Sequence, residues 1–210
     1  MWTFARNQFD LVVTKCHLPT PWPKESDFNR VISQVNGLFI FIKTLVLSLE
    51  RCENPKESLK AALQDSARTG LKNLYELYSS ILTAQIPHNN AEFQRVIGVL
   101  LTTAPNHALC DETVTTLAGV ELYLVKSWVD ALSSLLYQDE AANRGIRIRH
   151  LLICDFFVSD YCEYQVNIRE THVQVGIACL ETMLCNSVST FASSKIPGSP
   201  MQISKIFHPK

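Results

Sequence analysis

Leu71-Lys72-Asn73-Leu74-Tyr75-Glu76-Leu77-Tyr78-Ser79-Ser80-Ile81-Leu82 is the stretch on which the fold turns. Its large apolar residues, Leu71, Leu74, Leu77, Tyr78, Ile81 and Leu82, recur three and four positions apart. They therefore gather on one side of a helix and leave Lys72, Glu76 and Ser79 on the other. Gly70 precedes it, and Pro87 with the Asn89-Asn90 pair ends it.

Upstream, residues 38–49 are apolar nearly all round, the pattern of a buried helix, entered through a break at Asn36-Gly37. Phe28, Val31, Ile32 and Val35 repeat at helical spacing behind Ser26, an expected N-cap. Residues 53–58 form a polar turn around Pro55, after which Leu59, Ala62 and Leu63 give a short amphipathic stretch. Pro19, Pro21 and Pro23 bracket Trp22 and stop any helix there. No sustained period is visible before them. The organisation expected is an irregular segment over 1–22 and a helical subdomain over 23–90.

Downstream the period resumes. Phe93, Val96, Ile97, Leu100 and Leu101 mark one helix, stopped by Pro105. Asp111 is an expected N-cap for a second, through Leu117. Val125, Trp128, Val129, Leu132 and Leu135 mark a third. Residues 135–138 and 146–148 are extended candidates joined by the polar turn 139–145. Three helices and a hairpin outline a winged-helix-like domain over 91–168, in which 155–161 is also helical. Val173, Ile177, Leu180 and Leu184 predict a C-terminal helix over 169–192, and the Ser-, Pro- and Lys-bearing 193–210 reads as a disordered tail. The fold class is mainly α: a helical bundle, then a winged-helix-like unit with one small β-hairpin and trailing helices.

Composition narrows the function. A net charge of -1 lacks the concentrated basic face that phosphate neutralisation requires, so nucleic acid is not expected as a partner. The longest apolar run, 37–49, is too short to span a bilayer and contains Lys43, so no membrane association is expected. Seven cysteines, an odd number without a Cys-x-x-Cys pair, favour free thiols and a reducing, cytoplasmic setting over a disulfide scaffold or a zinc site.

Several segments resemble the region that follows the NTPase core in fungal NACHT-type STAND signalling proteins. Trp22-Pro23 with Val35-Asn36-Gly37-Leu38-Phe39-Ile40 is similar to the family's Trp-Pro … Gly-Gly-Leu-Phe-Ile-Tyr helix start. Residues 74–82 resemble its Leu-Asp-x-Leu-Tyr-x-x-Ile-Leu helix, and 93–101 the helix that opens its winged-helix domain. Residues 148–160 are similar to its His-x-Ser-Phe-x-Asp-Phe-Leu run, with Leu152 and Ile153 in place of Ser-Phe. Residues 172–183 resemble its His-x-x-x-Ala-x-x-Cys-Leu-x-x-Met helix. The resemblance spans roughly 22–184.

The resemblance implies a vestigial nucleotide latch. His150 stands where related switches place a histidine against the diphosphate of ADP, Arg149 stands beside it, and Gly37 occupies the helix start that touches adenine. Read from the residues alone, His150 is a structural histidine at a strand-to-helix junction, and Gly37 is a glycine that permits a sharp helix entry. Residues 151–155 imitate a Walker B strand. No Gly-x-x-x-x-Gly-Lys-Ser/Thr phosphate loop occurs in the sequence. No cofactor is therefore expected, ATP or ADP being bound only if this is part of a longer chain. Cys154 and His150 sit at helical spacing, yet their apolar surroundings do not favour a reactive thiolate. No metal-ligand or catalytic pattern is found, and no enzymatic activity is expected.

The function implied is a non-catalytic regulatory and interaction protein acting in signalling, self/non-self recognition or development. Its expected partner is a protein, either a full-length NACHT-type relative or a second copy. The alternative is a winged-helix DNA-binding transcription regulator. Removal of an NTPase core is expected to expose apolar surface along 37–49 and around Phe156-Phe157.

Overall fold

The computed structural model describes residues 1–63, 70–103, 108–142 and 144–193. These form ten α-helices and one two-stranded antiparallel hairpin, a mainly α fold. The tail 194–210 and the expected helix stop at Pro105 lie outside the described residues.

Residues 1–22 are not irregular. Helix α1 (Trp2–Lys15) fills most of them and buries Ala5, Phe9 and Val12. These lie at i, i+4 and i+7, a stripe so narrow among polar neighbours that it leaves little signal in the sequence. Tertiary contact supplies the missing stability. Phe9 meets both Phe28 and Trp22 edge-to-face, and Phe4 meets Phe39 in the same way. Helix α1 packs on α3 and thereby joins the helical subdomain.

Helix α2 (Glu25–Val35) starts one residue before the expected cap, so Ser26 lies in its first turn and Lys24 flanks it. Glu25 and Asp27 place negative charge at the positive end of the helix dipole. Helix α3 (Phe39–Leu49) is buried on most sides, as its composition dictates, with Phe41, Ile42, Leu45, Val46 and Leu49 inside. Helix α4 (Pro55–Leu63) begins at its proline, where a missing N–H costs nothing. Asn54 Oδ1 accepts from the Glu57 amide at 3.3 Å. Helix α5 (Leu71–Gln85) is the one-sided helix of the opening stretch; Leu74, Leu77, Tyr78, Ile81 and Leu82 are all buried.

Helix α6 (Ala91–Thr103) starts behind Asn90, whose side-chain oxygen accepts from the Phe93 amide at 2.9 Å. Helix α7 (Asp111–Ala118) takes Asp111 as its first residue rather than its cap, and that carboxylate accepts from Gln138 Nε2 at 2.9 and 3.1 Å. Helix α8 (Leu122–Ala131) ends before Leu132. Strands β1 (Leu136–Asp139) and β2 (Gly145–Ile148) follow, with Leu136 opposite Ile148 and Asp139 opposite Gly145. Leu109, between α6 and α7, adds a bridge to Ile146. Three helices followed by a hairpin is thus the observed element order over 91–148.

Helix α9 (Leu151–Val158) begins four residues before the expected 155, and this removes the Walker B strand: residues 151–155 are helical. Helix α10 (Ile168–Ser193) completes the chain. One continuous core runs from Ala5 to Val166, so the stretches before and after residue 90 are packed together. Tyr75 and Tyr78 of α5 meet Phe156 of α9 at 5.3 and 5.5 Å between ring centroids. Such aromatic pairs add about 0.5–1.5 kcal/mol to what their burial contributes.

Candidate functional site

His150 caps α9. Its Nδ1 accepts a hydrogen bond from the Leu152 amide at 3.1 Å while the ring stays exposed. The apolar first turn, Leu151 to Cys154, offers no other cap, and an imidazole nitrogen at the strand-to-helix junction satisfies one orphan N–H. Arg149 turns away from that end. Its Nε donates to the Ser133 carbonyl at 2.7 Å, and its guanidinium lies 5.0 Å from the Tyr137 ring centre. Partial burial lowers the Arg149 pKa; Tyr137 opposes the shift and the Arg51 cation adds to it. Gly37 sits elsewhere, at the α2–α3 junction. Its φ of +88° requires glycine, and a Cβ there would meet nothing within 4 Å. Arg149 and His150 are adjacent in the chain but make different contacts, and Gly37 joins neither. Each is explained by local structure.

The thiol at Cys154 is likewise structural. Burial pushes its pKa up, and Asp155 pushes it further, the reverse of what a nucleophile needs. Cys162 is pushed up to about 11 by burial. Asp155 sits inside α9. Among the described residues, no group of three or more His, Cys, Asp and Glu side chains is placed to hold a metal ion.

Two features have functional geometry instead. The first is a cavity of about 410 Å³ bounded by α3, α4, α5 and the turn after α8. Phe41, Leu45, Leu77 and Ile81 give it apolar walls; Gln34, Asn73, Ser48, Ser80, Ser133 and Ser134 give it polar ones. Arg51 is the only cation and Glu76 the only carboxylate among the described lining residues. Sequence periodicity marks these as core positions and says nothing of the gap between them.

The second is α10, which is apolar on two opposite sides. Thr171, Val175, Ala178 and Thr182 face the body and are buried or half-buried. The helix docks on α6 and α7 along this side. Val173, Ile177, Leu180 and Leu184 face away and are 63%, 51%, 62% and 66% exposed. Their 4-3-4 spacing is that of a coiled-coil seam. Exposed apolar surface was expected along 37–49 and at Phe156-Phe157. Most of those positions are core: Phe41 is 2%, Leu45 1%, Phe156 0% and Phe157 1% exposed, whereas Phe39 is 51% exposed. The bundle closes over most of α3 with α1, α2, α4 and α5.

Among the described residues, no helix is long and apolar enough to cross a membrane. Comparison with protein families, with characterised proteins and with solved structures finds no match to this chain.

Proposed function

We propose that this chain is a non-catalytic regulatory protein that acts in the cytoplasm through protein contacts made by α10. The observation that carries this is the outward stripe Val173, Ile177, Leu180 and Leu184. Four large aliphatic side chains at seam spacing on one solvent-facing helix side mark an interface. The partner is a second copy of the chain or a full-length NACHT-type STAND relative. Kinship to that family draws support from the order α6, α7, α8, β1, β2 and from a histidine at the following strand-to-helix junction. Signalling, self/non-self recognition or development is the setting that this kinship implies.

A DNA-binding winged helix is the alternative. Its reading helix would be α8, whose Lys126 shares a cleft with Asp111, Glu112, Asp130 and Arg144. Three carboxylates against two cations do not make the basic face that a phosphate backbone requires.

Association in trans is the test. Immobilised wild-type protein is expected to capture soluble wild-type protein or the full-length relative. Capture is expected to be lost when Ile177 and Leu180 are both replaced by Glu. Equal capture by the double variant contradicts the proposal.

A further inference from the structure

The cavity between α3, α4, α5 and the turn after α8 has the dimensions of a ligand site. Its volume of about 410 Å³ falls within the range of small-molecule pockets. Among the described residues, its walls combine buried apolar side chains with one cation, Arg51, at the exposed edge. Phe41, Leu45, Leu77 and Ile81 are all at least nine-tenths buried and line it. Arg51 is exposed and, among the described residues, has no carboxylate within ion-pair distance; the one hydrogen bond its side chain makes there, to the Asp130 carbonyl, is long at 3.4 Å. Ser133 Oγ is buried without a hydrogen-bond partner. A buried donor left unsatisfied is a standing cost that a ligand acceptor removes. Glu76, the lining carboxylate, is already engaged in an interaction of its own.

We propose that this cavity binds an amphipathic monocarboxylic acid. The apolar body lies between Phe41, Leu45, Leu77 and Ile81, and the carboxylate lies at Arg51 and Ser133. The chemistry follows from the charge. Burial and, to a lesser degree, the Arg51 cation disfavour the charge of Arg149, whose Nε is held on the Ser133 carbonyl. A single anion beside Ser133 relieves that repulsion and receives a charge-assisted hydrogen bond. A neutral apolar ligand would fill the walls and leave the cation unmatched.

Calorimetric titration with sodium decanoate, and with decan-1-ol as the neutral counterpart, tests this. Wild-type protein is expected to bind one equivalent of decanoate and to bind the alcohol more weakly. Arg51→Gln is expected to weaken decanoate about ten-fold, the share of one charge-assisted contact, and to leave the alcohol unchanged. Ala62→Phe, which fills the cavity, is expected to abolish both. Methyl NMR on wild-type protein supplies a readout that no folding defect can mimic: Leu45, Leu77 and Ile81 are expected to shift on titration. No binding by wild-type protein, an Arg51→Gln affinity equal to wild type, or shifts confined to Leu180 and Leu184 would each overturn the proposal.

Discussion

A Cβ built on Gly98 would lie 2.8 Å from Thr171 Cγ2, so α6 and α10 approach closely where α6 carries no side chain. Thr171 cannot easily retreat. Its β-branched side chain is stiff, and its hydroxyl donates to the Asn167 carbonyl at 3.0 Å. In a helix interior Ala normally outperforms Gly by about 1 kcal/mol. Here the sign reverses. Gly98→Ala is expected to destabilise by about 1–3 kcal/mol through overpacking. Urea denaturation checks it, and adding Thr171→Ala, which removes both close atoms, Cγ2 at 2.8 Å and Oγ1 at 2.9 Å, is expected to recover most of the loss.

His150 has a structural job that its exposure does not diminish. His150→Ala is expected to cost about 1 kcal/mol through loss of the α9 cap, and His150→Asn to restore it. Calorimetry with ADP separates this from a latch, because the cap account expects identical ADP traces from the wild type and both variants.

These two positions show what could be read from residue order and what could not. The one-sided spacing of Leu74, Leu77, Tyr78 and Ile81 is dictated by burial, and the helix follows from it. Residues 38–49 similarly announce a buried helix, since an all-round apolar surface has nowhere else to go. Helix α1 escaped because Ala5, Phe9 and Val12 are too few to show a period until Phe28, Trp22 and Phe39 complete the cluster. The start of α9 escaped because His150 is an uncommon cap. Phe41, Leu45, Phe156 and Phe157 were readable as apolar, but whether an apolar face is core or surface depends on neighbours distant in the chain. The cavity is a space between helices, for which one-dimensional pattern has no symbol.

Tyr164 ties the segment before α10 to the end of α5. Its hydroxyl donates to the Ile86 carbonyl at 2.8 Å in a buried setting. Tyr164→Phe keeps the ring contact with Phe93 and leaves that carbonyl unpaired. The expected loss is about 1–3 kcal/mol, read as a lower urea midpoint at unchanged slope.

Alkaline pH should weaken the fold through Cys162. Its thiol ionises near 9.0 when unperturbed and is pushed up to about 11 by burial in the folded chain. The unfolded chain therefore loses that proton first as pH rises. Stability is complete below 9.0 and falls between 9.0 and about 11. Denaturation at about pH 8 and about pH 10 is expected to show this fall, and Cys162→Ala to show a smaller one.

The central claim, that α10 presents an interface, meets its most direct test in light scattering across tens of micromolar. The outward stripe leads us to expect a mass above the monomer that rises with concentration and returns to the monomer value in the Ile177→Glu, Leu180→Glu double variant, with unchanged circular dichroism. Both replaced side chains are more than half exposed, so the fold should tolerate the change. A wild-type protein that stays monomeric throughout, or a double variant that associates as wild type does, would contradict the claim.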